Sequence, residues 1–117
     1  MTYLDPSMIR SWHAHVYFDA DSRDDARNLR EAVGAQFGNH IDLGRFHERP
    51  VGPHPRWSFQ IAFVPAQFPA VVGWLALNHA ALDVFVHPNT DDGLRDHRDC
   101  AMWLGRSWRL DLRAVGG

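Results

Sequence analysis

Four histidines in this chain stand in settings that could do chemistry together. His13 and His15 lie two apart in WHAHVYF, His54 sits between prolines in GPHP, and His87 directly precedes Pro88. Imidazole is neutral near pH 7 and ligates iron, zinc, copper or nickel; a His-x-His pair on a strand sets two rings on one face. Prolines on both sides of His54 would hold a ligand still without help from a strand ladder. Three protein ligands with open positions describe a catalytic rather than a structural metal site. Singly, each histidine has an ordinary reading: a polar sheet face for the pair, a turn for His54, a strand end for His87. Four rings meeting at one edge are expected to form a joint site. His97, ten residues after His87, is expected either on the surface or as an acid/base beside the site. His40, His47 and His79 are expected to be solvated or structural.

Other chemistries find little support. All twelve basic residues are arginine, which removes pyridoxal Schiff bases, lysine aldolases and the Walker A lysine. Cys100 is alone and reads as a buried, inert thiol. Asp91, Asp92, Asp96 and Asp99 read as a solvated helix face, and no G-x-G-x-x-G loop is present. A net charge of −2 with scattered arginines gives no footprint for nucleic acid or an anionic membrane. No apolar run approaches the roughly 18 residues of a membrane-spanning helix. The polar MTYLDPSMIR start does not read as a signal peptide, so a reducing cytoplasm is expected. At 117 residues, 45% of them hydrophobic, the chain is expected to form one domain over 1–117, with its core about residues 12–112.

The positioning elements follow from periodicity. Residues 12 to 18 alternate, with Trp12, Ala14, Val16 and Phe18 on one face and His13, His15 and Tyr17 on the other. Asp21 or Ser22 is expected to cap a helix with Asp24 and Asp25 in its first turn; Ala26, Leu29, Val33 and Phe37 form its stripe, and Gly38 with Asn39 ends it. Residues 40 to 47 predict a weaker strand, 48 to 55 a rigid proline loop, and 57 to 64 a third strand burying Trp57, Phe59, Ile61 and Phe63. Pro65 opens a second helix with a Phe68, Val71, Val72, Leu75 stripe. Residues 82 to 87 predict a fourth strand stopped by Pro88. Thr90 is expected to cap a short helix over 91 to 101, and the tail from Met102 to be extended or irregular.

This order is α+β: a ferredoxin-like βαββαβ antiparallel sheet with helices on one face, plus a short C-terminal helix and tail. Right-handed crossovers give the strand order 4-1-3-2. The fourth strand would lie antiparallel beside the first, bringing His87 to His13 and His15. The third is expected parallel to the first, so that the loop carrying His54 opens at the same edge. The histidine face is expected to be open, free for a pocket or a second subunit, and a homodimer joined through it is expected.

Three segments, HAHVYFD at 13 to 19, RPVGPHP at 49 to 55 and VHPNTDDGLRDH at 86 to 97, resemble the DOPA dioxygenase family; WSFQIAFVPAQF and MWLG fit as well. The resemblance runs from Trp12 to Leu112. It implies extradiol cleavage of a catechol such as L-DOPA by dioxygen, chemistry that suits Fe(II), with Zn(II) able to substitute. Carried over residue by residue, the family's histidines fall on His15, His54 and His87 as metal ligands, with His97 in the following Asp-His. His13 is an extra ring, and either His13 or His97 would be the base that deprotonates the catechol. Glu48 is the candidate for a carboxylate ligand but lies outside the matched motif, so an all-histidine site is favoured. Arg49, with Arg56 as second choice, is expected to pair with a substrate carboxylate, and Trp57 to wall the pocket. Fold alone also admits a non-catalytic small-ligand or metal-binding module and a cofactor-free monooxygenase.

Overall fold

The structure is a computed structural model that describes residues 2–115. Its sheet contains β1 (Ser11–Phe18), β2 (Asp42–Leu43), β3 (Trp57–Phe63), β4 (Asp83–Asn89) and β5 (Met102–Leu104), in the order β2-β3-β1-β4-β5. The helices are α1 (Arg23–Phe37), α2 (Phe68–Asn78) and α3 (Gly93–Arg98). The fold is α+β with the expected order of the first four strands, and β5 adds a fifth strand beside β4. All neighbouring strands run antiparallel. None of the helices described is long and apolar enough to cross a membrane.

The period-two alternation of β1 decides which side chains face which layer. Ala14, Val16 and Phe18 join Phe59, Ile61, Phe63, Val84 and Val86 in one core with Ala26, Leu29, Val33 and Phe37 of α1 and Val71 and Leu75 of α2. Burying such a side chain is worth about 1.5–3 kcal/mol, so this two-layer contact fixes strand register. A one-residue slip of β1 would drive His13, His15 and Tyr17 into that core.

Several expectations need correction. Strand β3 is antiparallel to β1, with Trp57 opposite Phe18 and Phe63 opposite Trp12. The loop before it therefore opens at the far end of β1, not at the end where His13 begins. The strand expected over 40 to 47 shrinks to two residues plus an isolated bridge between His47 and Ser58. Pro88 does not stop the fourth strand but lies inside β4. Strand β5 pairs only with Val84, Phe85 and Val86, so beyond them that side of β4 needs no donor from proline.

The last helix is also shorter than expected. Asp92, not Thr90, caps α3 by accepting from the backbone N–H of Arg95. Thr90 instead donates from its backbone and its hydroxyl to the two carboxylate oxygens of Asp96, each at 2.7 Å. Asp96 is thus buried rather than solvated, and Cys100, just past α3, is exposed rather than buried.

The histidine face is not open. The loop over 49–55, α3 and the tail form a third layer on it, and the backbone N–H of Asp111 donates to the Pro53 carbonyl at 2.8 Å. Beneath this layer Tyr17 is 2% exposed, Phe85 1% and His87 1%.

Candidate metal centre

Register places the first three rings. His13 pairs with His87 across β1 and β4, and His15 pairs with Phe85 one step along the same face. Ligand nitrogens of His13, His15 and His87 all lie within 4.8 Å of one another. The Nε2 atoms of His15 and His87 are 3.1 Å apart. Two nitrogens bound to one ion at about 2.1 Å would stand about 3.0–3.4 Å apart at tetrahedral or octahedral angles, so this spacing suits a shared metal.

The outer contacts suit one too. The His87 Nδ1–H donates to the Pro88 carbonyl at 2.9 Å, leaving the Nε2 lone pair facing His15. A ligating imidazole commonly has its other nitrogen fixed this way. Burial is the main reason these rings resist protonation. It drives His15 well below the usual histidine range, with the neighbouring imidazoles adding to the effect. It lowers His87 to about 3, against an opposing pull from the Pro88 carbonyl, and it lowers His13 as well. Three neutral imidazoles are a donor set that iron or zinc accepts.

His54 arrives by a different route from the one expected. Its loop folds back across the face, closed by a turn in which its N–H donates to the Val51 carbonyl at 3.1 Å. The ring packs on His15, with centroids 4.1 Å apart, and its Nδ1 lies 2.7 Å from the Tyr17 hydroxyl. Burial lowers His54 to about 4 and pushes the Tyr17 phenol up. His54 does not belong to the group of three whose nitrogens close on one another.

His97 lies against His87, with ring centroids 4.0 Å apart, and its Nδ1–H donates to the Gly93 carbonyl at 2.6 Å. The lone pair of the neutral ring is then on Nε2. His97 and Phe85 also line a cleft of about 670 Å³ with Trp103, Trp108 and Arg109. The cleft is walled in part by aromatic rings and lies next to the histidines.

The two residues expected to hold substrate lie elsewhere. Trp57 is on the helix side of the sheet, edge-on to Phe18, with the Arg23 guanidinium over its ring. Arg49 is exposed on the loop and is not part of the cleft wall. Arg56 pairs with Asp19 at 2.7 Å and covers Trp108. Glu48 pairs with Arg27 and Arg23 and is not in the group whose ligand atoms close on one another. His47, expected to be remote, borders a cavity of about 180 Å³ with His15 and His54. His79 donates to the Leu82 carbonyl, and His40 is exposed. Sequence reasoning misses Tyr17, Trp103 and Trp108 as parts of the site. Only Tyr17 carries a signal, because alternation puts it on the histidine face.

Residues 12–114 match the Dopa 4,5-dioxygenase family. A DOPA 4,5-dioxygenase from Amanita muscaria is 39% identical over 95% of this chain, and an uncharacterized 21.2 kDa protein from Botryotinia fuckeliana is 35% identical over 96%. The chain spans 51% of the length of the first and 67% of the second. The crystal structure of a candidate dioxygenase from Nostoc punctiforme PCC 73102 superposes with a TM-score of 0.93 at 46% identity, covering 97% of each chain.

Proposed function

This chain belongs to the Dopa 4,5-dioxygenase family, and from that premise we propose that it is an extradiol dioxygenase acting on a catechol such as L-DOPA. The carrying observation is the 3.1 Å approach of the His15 and His87 Nε2 atoms beside an aromatic cleft. His13, His15 and His87 would hold Fe(II), with Zn(II) able to take its place. Bound there, iron would bring the catecholate and dioxygen together and let electrons pass between them. In the overall reaction one ring carbon–carbon bond beside the two hydroxyls breaks and both oxygen atoms enter the product, so no external reductant is needed.

The chain's own residues prepare that reaction. Phe85, Trp103 and Trp108 pack the ring and exclude water from it. His97, with Nδ1 committed to Gly93, offers Nε2 as the base that takes a catechol proton. The depressed basicity of His15 and His87 keeps their lone pairs free near neutral pH.

The test is aerobic incubation of the iron-loaded protein with L-DOPA, following dioxygen uptake and yellow colour. One dioxygen consumed per catechol is expected. Bound iron with no dioxygen uptake from any catechol would leave a non-catalytic metal module, and turnover by metal-free protein would point to a cofactor-free oxygenase.

A further inference from the structure

The buried His54–Tyr17 pair has no role in that scheme, and hydrogen-bond accounting restricts what it can do. Tyr17 is buried between Trp103 and His54, and its hydroxyl has a single hydrogen-bond partner among the described residues, His54 Nδ1 at 2.7 Å. The indole of Trp103 offers no acceptor for an O–H. A buried hydroxyl proton without an acceptor is strongly disfavoured, so the Tyr17 O–H must donate into the Nδ1 lone pair. A neutral imidazole has one proton on nitrogen, and with Nδ1 accepting, that proton sits on Nε2. His87 is fixed the opposite way, with its proton on Nδ1 and its lone pair on Nε2. The two rings flanking His15 therefore present opposite chemistry.

We propose that His54 is a hydrogen-bond donor beside the metal centre, not one of its ligands, and that Tyr17 is the positioning residue that holds it in the Nε2–H tautomer. The donor would serve an oxygen atom of a molecule bound next to His15, reached through the cavity shared by His15, His47 and His54. The tautomer follows from Tyr17 alone, whereas the donor role rests on the metal-centre reading.

Nitrogen-15 NMR of the metal-free protein, labelled in its histidines, reads the tautomer directly. A protonated Nε2 and an accepting Nδ1 are expected for His54, with the Nδ1 signal losing its hydrogen-bond shift in Tyr17→Phe. A protonated Nδ1 in the wild type would overturn the Tyr17 assignment. Zinc titration separates ligand from donor: His54→Ala should stay within about tenfold of wild-type affinity while His87→Ala loses more than about a hundredfold, because a lost ligand costs more than a lost neighbour. Equal losses would make His54 a ligand and end the proposal. His54→Gln, which keeps an N–H, should retain more turnover than His54→Ala at equal metal content. If wild-type protein holds no zinc, the metal-centre reading and the donor role fall together, and the NMR result still decides the tautomer.

Discussion

Three arginines line the cleft with unequal freedom. Arg98 pairs with Asp99 at 2.9 Å and Arg113 with Asp111 at 2.8 Å, while Arg109 has no ion-pair partner among the described residues. A catechol bearing a carboxylate would meet Arg109 without breaking an existing pair. Arg109→Gln is predicted to raise KM about fivefold for a carboxylated catechol, equivalent to about 1 kcal/mol for an exposed charge pair. A neutral catechol should show no change in steady-state kinetics. Equal shifts for both substrates would remove Arg109 from recognition. The sequence points instead to Arg49, in the RPVGPHP segment, but a place in a matched segment does not fix where a loop side chain lies in space. The histidines are legible because residue type and strand alternation fix their face. Nothing local marks Arg109, whose position depends on where the tail returns.

That return is fastened at one strand end. Asp83, at the start of β4, accepts the backbone N–H of Arg106 at 2.8 Å and the indole N–H of Trp108 at 2.9 Å. Gly105 makes the close approach possible: its φ is +88°, and a Cβ there would come 2.5 Å from an Asp83 carboxylate oxygen. Asp83→Ala is predicted to cost about 1 kcal/mol in urea unfolding, through two lost hydrogen bonds, one of them at the exposed Arg106 N–H where water can take the carboxylate's place. It should also raise KM, by loosening the Trp108 wall, while zinc content stays at the wild-type level. An unchanged KM would mean that Trp108 does not shape the substrate site. The β-α-β-β-α-β order is readable from alternation and apolar stripes. The antiparallel course of β3 is not, because alternation looks the same in either direction, and β5 is too short to show a period. Sequence reasoning thus brings His54 to the right neighbours by the wrong edge.

Across the whole molecule, folding places four histidines, His13, His15, His54 and His87, where the charged form is disfavoured. His54 falls to about 4 and His87 to about 3, chiefly through burial, and His15 moves the same way. In the unfolded chain each titrates near 6.5. Above that value both states are neutral and stability is flat in this respect. Below it the unfolded chain takes up protons that the folded chain refuses, so stability falls until the folded values are passed. The slope is on the order of 1.4 kcal/mol per pH unit for each histidine. The urea midpoint of metal-free protein should therefore drop between pH 7 and pH 5, and a flat profile would contradict the burial. Assembly gives the last prediction. The expected homodimer draws its reason from a bare histidine face, yet the chain supplies that cover itself. His97 lies on His87, His54 lies on His15, and the Asp111–Pro53 hydrogen bond ties tail to loop. A twofold dimer through another surface is compatible with this, because the centre needs no wall from a partner. Zinc bound per chain and turnover per chain are therefore predicted to stay constant on dilution to the point where light scattering finds the 13.4 kDa chain alone. Turnover that falls in step with dissociation would show instead that each site borrows part of its wall from a second copy.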